Sequence, residues 1–297
     1  MDRLRSESAA NDTGDFAGAL SARDGLDSMV DDDDRLDLAG PDRSQKKLSK
    51  ALDKTSRRAL VNASSNDPFF RAHLNLVSQP GAGAWLTALP EDESREWEDG
   101  LFDVALKRRC RVKIQEDNSV CPCCGSVMDP YADHALVCSC KGDRTLRHNR
   151  VRDVAFEDAC EARMSPEREK PGLLLSRPHE EGIHCDSHGE ARRPADVWLP
   201  RGMSSTCGRP EALDFAVTCG LTSDKVWKSA ESPHVLFEDY CDFKRQYKDT
   251  GQLCSNQGLV FTPLVFEAHG GGFGPDVLRI FDAISKRLAF DAKREIP

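Results

Sequence analysis

Apolar residues recur at helical spacing through the first half of the chain, and runs that alternate like strands enter only in the second half. From Lys46 to Ala63, Leu48, Leu52, Ala59, Leu60 and Val61 predict a helix among basic side chains, interrupted by Asn66-Asp67-Pro68. A second helix is predicted over Phe69 to Val77, ending before Gln79-Pro80-Gly81. The short run Ala84 to Leu89 is closed by Pro90, and Trp97 to Cys110 predicts a third helix with Trp97, Leu101, Val104 and Leu106 near one stripe. Beyond residue 140 the pattern changes. Asn149 to Ala162 reads as a helix with Val151, Val154, Ala155 and Ala159 inward. Gly172 to Leu175, Ala195 to Leu199 and Ala212 to Thr218 read as strands, Val235 to Lys248 as a helix, Leu259 to Ala268 as a strand, and Pro275 to Phe290 as a final helix after Gly270-Gly271-Gly272. The order helix, three strands, helix, strand, helix predicts an α/β (α+β) fold with one mixed sheet.

The organisation expected along the chain is an acidic tail at 1–43, a helical linker at 44–118, a Cys/His module at 119–142 and an α/β domain at 143–297. Residues 1–43 hold 12 acidic residues, among them Asp31 to Asp34, against 5 arginines and show no sustained apolar period, so a disordered, solvated tail is expected. That segment accounts for −7 of the net charge of −9, leaving 36 basic and 38 acidic side chains in the other 254 residues. A nearly neutral body still accommodates a basic face, so net charge does not exclude a nucleic-acid partner. No apolar run approaches the roughly 20 residues of a membrane span, and Met1 to Ser8 lack a signal-peptide core. The expectation is an intracellular or nuclear protein that is not secreted and has no membrane partner.

Five of the twelve cysteines, Cys121, Cys123, Cys124, Cys138 and Cys140, fall within twenty residues. Cys121, Cys124, His134 and Cys138 give C-x2-C-x9-H-x3-C. The two-residue gap presents two thiolates from one turn, and a His and a Cys four positions apart share a helical face. Together they complete a tetrahedron suited to a closed, structural zinc site. Cys123 in place of Cys124, and Cys140 in place of Cys138, remain alternatives. His179, His184, Cys185 and His188 form a second cluster, read as a polar surface loop because its surroundings lack a regular period.

Two aspartates, Asp196 and Asp214, sit in successive predicted strands. An ionised carboxylate in an apolar strand is costly unless it meets a cation or strong donors, and two carboxylates suit a hard divalent cation such as Mg²⁺ or Mn²⁺. On the Val235–Lys248 helix, Leu236, Tyr240, Phe243 and Tyr247 are expected to form the buried stripe. Lys244 lies at its edge, able to carry its ammonium into a cleft.

The combined pattern Cys121…Cys124…His134…Cys138, Arg147-His148-Asn149, Arg193-Pro194-Ala195-Asp196…Asp214 and Lys244-Arg245-Gln246-Tyr247-Lys248 resembles the carboxy-terminal part of non-LTR retrotransposon reverse transcriptase proteins. In these proteins a zinc knuckle precedes a restriction-like endonuclease of the PD-(D/E)XK superfamily. Ala82 to Pro90 resembles the linker before that knuckle, and the reverse transcriptase domain itself is absent from the chain. The resemblance implies a four-stranded mixed sheet flanked by helices and a Mg- or Mn-dependent DNA endonuclease whose nick leaves a 3′-hydroxyl. It implies Asp196 and Asp214 as catalytic metal ligands with the carbonyl of Phe215 as a further one. Lys244 would stand in for the usual lysine two residues after the second acid, a position held here by Ala216, and Glu157 would be an additional carboxylate. Arg144, Arg147, His148, Arg150, Arg152 and Lys248 would bind phosphates, with DNA, element RNA and a reverse transcriptase domain encoded elsewhere as partners. The competing expectation is a non-catalytic, zinc-containing nucleic-acid-binding remnant of a retroelement.

Overall fold

The structure, a computed structural model, describes residues 45–89, 96–174, 194–201 and 208–294; the acidic tail and the His179, His184, Cys185 and His188 cluster lie outside them. The chain divides into two units, Met1–Asn66 and Asp67–Pro297. In the first, helix α1 (Gln45–Ala63) is followed by a turn in which the Ser64 hydroxyl donates to the Val61 carbonyl at 2.7 Å. Leu52 and Leu60 on α1 are exposed. No helix among the described residues is long and apolar enough to cross a membrane.

The second unit is a mixed α/β body. Helix α2 (Pro68–Val77) is opened by Asp67, whose carboxylate accepts from the Phe70 amide, with proline in the first turn where no N–H is missed. Helix α3 (Asp99–Arg109) corrects the expected stripe, because Leu101, Val104 and Leu106 are exposed. It is held by polar and aromatic contacts instead. Trp97 stacks on Trp85 with ring centroids 5.3 Å apart, and the Arg109 guanidinium donates to the carbonyls of Ala82 and Val77. A two-stranded hairpin of β1 (Ser119–Val120) and β2 (Val127–Met128) and a single helical turn, α4 (His134–Val137), carry the Cys/His module.

Helix α5 (Asp143–Glu161) begins six residues earlier than the apolar pattern suggested. Gly142, at φ +76°, turns the chain into it, and Asp143 places a negative charge in its first turn. Its inward row is Ala155 and Ala159 with Val151 beside them, whereas Val154 is exposed.

The main sheet has the order β3-β4-β5-β6, antiparallel between the first three strands and parallel between the last two. Its strands are β3 (Glu167–Arg168), β4 (Val197–Leu199), β5 (Glu211–Thr218) and β6 (Val260–Glu267). The first strand of the ladder is β3 and not the stretch expected at 172–175, of which residue 175 lies outside the described residues: Gly172, at φ +76°, sits in a turn, and Leu174 makes only a bridge position, buried with Cys254 and Leu259. Between β5 and β6 run α6 (Val226–Glu231), α7 (Pro233–Gln246) and α8 (Thr250–Asn256), and α9 (Pro275–Arg294) closes the chain.

One sheet face, made of Val197, Leu199, Leu213, Phe215 and Leu264, packs against Ala155 and Ala159 of α5 and Val277, Ile280 and Ile284 of α9. On the other face Ala216 and Val265 meet Phe237 and Cys241 of α7. β5 is therefore covered on both sides, and its mostly apolar composition follows from that. A third cluster joins Ala72 and Leu76 of α2 to Val226 and Ala230 of α6 and to Leu236. Pro263 pairs opposite Asp214 in β6, the last strand in the sheet order, where a missing N–H is tolerated. Glu267 is almost fully buried at the end of β6. Its carboxylate accepts from the amides of Gly220, His269 and Gly270 and so ties the end of β5 to the turn after β6.

Candidate functional site

The Cys/His module folds around one turn. The Cys121 amide donates to the Ser126 carbonyl and the Gly125 amide returns to the Cys121 carbonyl, with Gly125 at φ +74°, so the thiols of Cys121 and Cys124 converge. α4 brings His134 and Cys138 to the same point. The Cys124 sulfur lies 3.0 Å from His134 Nε2, the Cys121 and Cys138 sulfurs are 3.9 Å apart, and the four ligand atoms all fall within 4.8 Å of one another. These four residues can hold a zinc ion, and Cys123 and Cys140 fall outside the group. Hydrogen bonds from the Cys123 and Cys124 amides hold the Cys121 thiol below its usual range. The Ser126 hydroxyl and amide lower Cys124 to about 6. Both shifts favour the thiolate that a metal requires.

The module is clamped by arginines. Arg111 grips Asp133 with two bonds of 2.8 Å, Arg108 donates to the Ala132 carbonyl at 2.9 Å, and Arg147 of α5 donates to the Leu136 carbonyl at 2.5 Å. Asp129 caps the turn by accepting from the amides of Tyr131 and Asp133.

The two aspartates come together through the sheet register. Val197 pairs with Leu213, and the Asp196 amide donates to the Leu213 carbonyl, so Asp196 and Asp214 are neighbours on adjacent strands, on the face opposite Val197 and Leu213. Asp196 Oδ2 accepts the Phe215 amide at 2.6 Å, and its Oδ1 lies 3.4 Å from His148 Nε2. Asp214 Oδ2 is 2.8 Å from Lys244 Nζ. Burial raises the Asp214 pKa, opposed by Lys244 and reinforced by the Asp196 charge. For Lys244 burial is the largest single influence and lowers the pKa. The Asp214 carboxylate, with smaller help from Tyr240 and Asp196, outweighs it and the net direction is up. Lys244 is thus a cation here, suited to donating hydrogen bonds and not to accepting a proton. His148 is raised, chiefly by its hydrogen bond to Asp196.

A trough of about 390 Å³ opens beside this pair, lined by their two cationic partners His148 and Lys244 and by Arg144, Thr145, Phe215, Ala216 and Tyr240, and the aspartates themselves do not line it. The stripe expected on α7 is corrected: Leu236, Phe237 and Cys241 are buried, Phe243 and Tyr247 are exposed. Lys244 follows Phe237 and Cys241 on the helix and belongs to the buried row itself. The helix ends at Gln246, and Lys248, at φ +55°, leaves that row and sets its ammonium 5.2 Å from the Tyr247 ring centroid.

The remaining expected residues divide by their position on α5. Arg144 and His148 share the row that continues inward to Ala155 and Ala159, which is why they face the trough. Glu157 is nine residues from His148, two and a half turns, so it points to the opposite side, exposed and away from the aspartates. Arg150 is exposed. Arg152 is engaged with Asp153 at 3.0 Å and Glu169 at 2.8 Å. The contact of His148 with Asp196 was not anticipated; the i, i+4 step from Arg144 toward Val151 and Ala155 is the signal that could have revealed it. No family model, curated protein or solved structure matches this chain.

Proposed function

We propose that this chain is a metal-dependent DNA endonuclease of the retrotransposon restriction-like type, nicking DNA to leave a 3′-hydroxyl. The observation that carries the reading is the pair Asp196, just before β4, and Asp214 on β5, with the Lys244 ammonium 2.8 Å from Asp214 and with Lys244 and His148 lining an open trough beside them. A lysine supplied by the helix after the second acid compensates for Ala216. The four-stranded mixed sheet between helices agrees with the PD-(D/E)XK core implied by the sequence resemblance.

Asp196 and Asp214 would hold Mg²⁺ or Mn²⁺, and the donor set fits, because two hard carboxylates that repel each other across neighbouring strands are relieved by a divalent cation. Such an ion, when bound, polarises the scissile phosphate and acidifies a bound water. The chain's own groups do the rest. Lys244 donates to a phosphoryl oxygen on which charge develops, His148 orients Asp196, and Arg144 at the rim holds the strand by its phosphates. Cys121, Cys124, His134 and Cys138 would hold a zinc ion that fixes α4, and the Arg147 bond to the Leu136 carbonyl would pass that restraint to the start of α5.

Cleavage of plasmid and single-stranded DNA with Mg²⁺ or Mn²⁺ tests the proposal. Wild type should nick and leave ends that a polymerase extends. Asp196→Ala and Asp214→Ala should each lose at least about a hundredfold in rate, as when a transition-state charge stabiliser is removed. A second reading, a non-catalytic nucleic-acid-binding remnant, draws on the fact that each aspartate already has a cation, His148 or Lys244. Salt-sensitive DNA binding with no cleavage under either metal would select it.

A further inference from the structure

Beside the trough lies a second, smaller cavity of about 200 Å³ between the Cys/His module and the end of β5. It is lined by Arg144, Arg147 and Lys225, by the hydroxyl residues Thr218 and Thr222, by Tyr240 and by apolar side chains, and among the described residues no carboxylate lines it. Arg147 Nη2 is spent on the Leu136 carbonyl, but Nη1 is buried with no hydrogen-bond partner among the described residues. A buried guanidinium N–H without an acceptor is costly, and its presence calls for an anion. Lys225 Nζ donates to Thr218 Oγ1 at 3.0 Å, so the Thr218 hydroxyl, having accepted there, keeps its own proton to donate. Three cationic side chains and a free hydroxyl proton around one small space match a tetrahedral oxyanion, and arginine and lysine are the phosphate-binding pair of choice.

We propose that this cavity binds a backbone phosphate of the DNA strand, one or a few nucleotides from the phosphate held over Asp196 and Asp214. Arg144 and Tyr240 line both spaces, so one strand can run from the cavity into the trough without leaving the surface. Naming DNA as the source of the phosphate rests on the nuclease reading. Neither the oxyanion chemistry nor the role of Lys225 depends on it.

The test uses the whole zinc-loaded chain without divalent catalytic metal, and short DNA strands carrying one uncharged methylphosphonate linkage at successive positions. Lys225→Gln should weaken binding of unmodified DNA by about tenfold at moderate salt and reduce the slope of log affinity against log salt by about one. One neutralised linkage should weaken wild-type binding to a similar extent and leave Lys225→Gln indifferent. Thr222→Val, with zinc content and urea midpoint as folding controls, serves if Lys225→Gln misfolds. Equal affinity and slope in wild type and variants would overturn the proposal. Inorganic phosphate that binds in a Lys225-dependent manner, with no linkage-specific effect in DNA, would also overturn it by making free phosphate the occupant. The two readings separate cleanly: linkage-specific binding without cleavage removes the nuclease and keeps the cavity, and normal cleavage with no Lys225-dependent linkage does the reverse.

Discussion

Replacing Lys244 by methionine keeps the alkyl stem and removes the charge beside Asp214. At 2.8 Å and an effective dielectric of about 20, the gross attraction is about 6 kcal/mol, most of it spent on desolvating both ions. The side chains keep 25% and 19% of their exposure. The net loss should therefore be about 2–3 kcal/mol, between the roughly 1 kcal/mol of a surface pair and the 3–5 kcal/mol of breaking a buried one. The pH dependence has a definite sign. Asp214 is already raised by burial, and without Lys244 it rises further. The folded chain then holds a proton that the unfolded chain releases, so stability falls as pH climbs from the unfolded carboxylate value toward the raised one. Lys244 itself, raised in the folded chain, would lose its contribution only in strongly alkaline solution. Urea unfolding should show the full penalty near neutrality and a much smaller one near a pH of about 4. Adding Asp214→Asn to the Lys244→Met chain should recover at least half of the lost stability. An equal penalty at both pH values, or no recovery in the double variant, would refute the reasoning.

The purified chain should contain one zinc, measured by elemental analysis; Cys121→Ser should lose it and Cys123→Ser keep it. His148, raised mainly by Asp196, should titrate by NMR above its ordinary value of about 6.5 and fall in Asp196→Asn. Its stabilising contribution is fully present below the unfolded value and disappears as pH rises through the folded one, so His148→Gln should cost most stability in mildly acidic solution. Gly270→Ala would set a Cβ 2.6 Å from the Leu76 carbonyl, and calorimetry should find a loss of about 1–3 kcal/mol.

The parts of this molecule legible in its sequence are those governed by short-range periodicity. β5 and β6 follow from short, mostly apolar runs of strand length, and the metal ligands from spacing within a turn and a helix face. What the pattern missed depends on partners distant in the chain. Helical spacing from Leu236 through Tyr240 puts Phe243 and Tyr247 on the expected stripe, yet the row that packs on β5 runs through Phe237, Cys241 and Lys244. Spacing names Cys124 but leaves Cys123 open as an alternative, and the return of the Gly125 amide to Cys121 is what decides for Cys124. The apolar spacing of α3 puts Trp97, Leu101, Val104 and Leu106 near one stripe, but the helix is held by Arg108 and Arg109, whose acceptors are main-chain carbonyls that no side-chain pattern displays. His148 was grouped with its basic neighbours because composition does not distinguish the faces of a helix.

Pro263 has a consequence for solubility. The segment Val260 to Glu267 is rich in β-branched and aromatic residues and carries one charge, at its end, a composition prone to recruiting identical strands when transiently uncovered during folding. A proline at its fourth position withholds the donor that an intruding strand would need and so acts as a gatekeeper against sheet extension. With Val at position 263 the native register would survive, but the chain should associate in a concentration-dependent way on refolding, a defect of yield and not of the folded state.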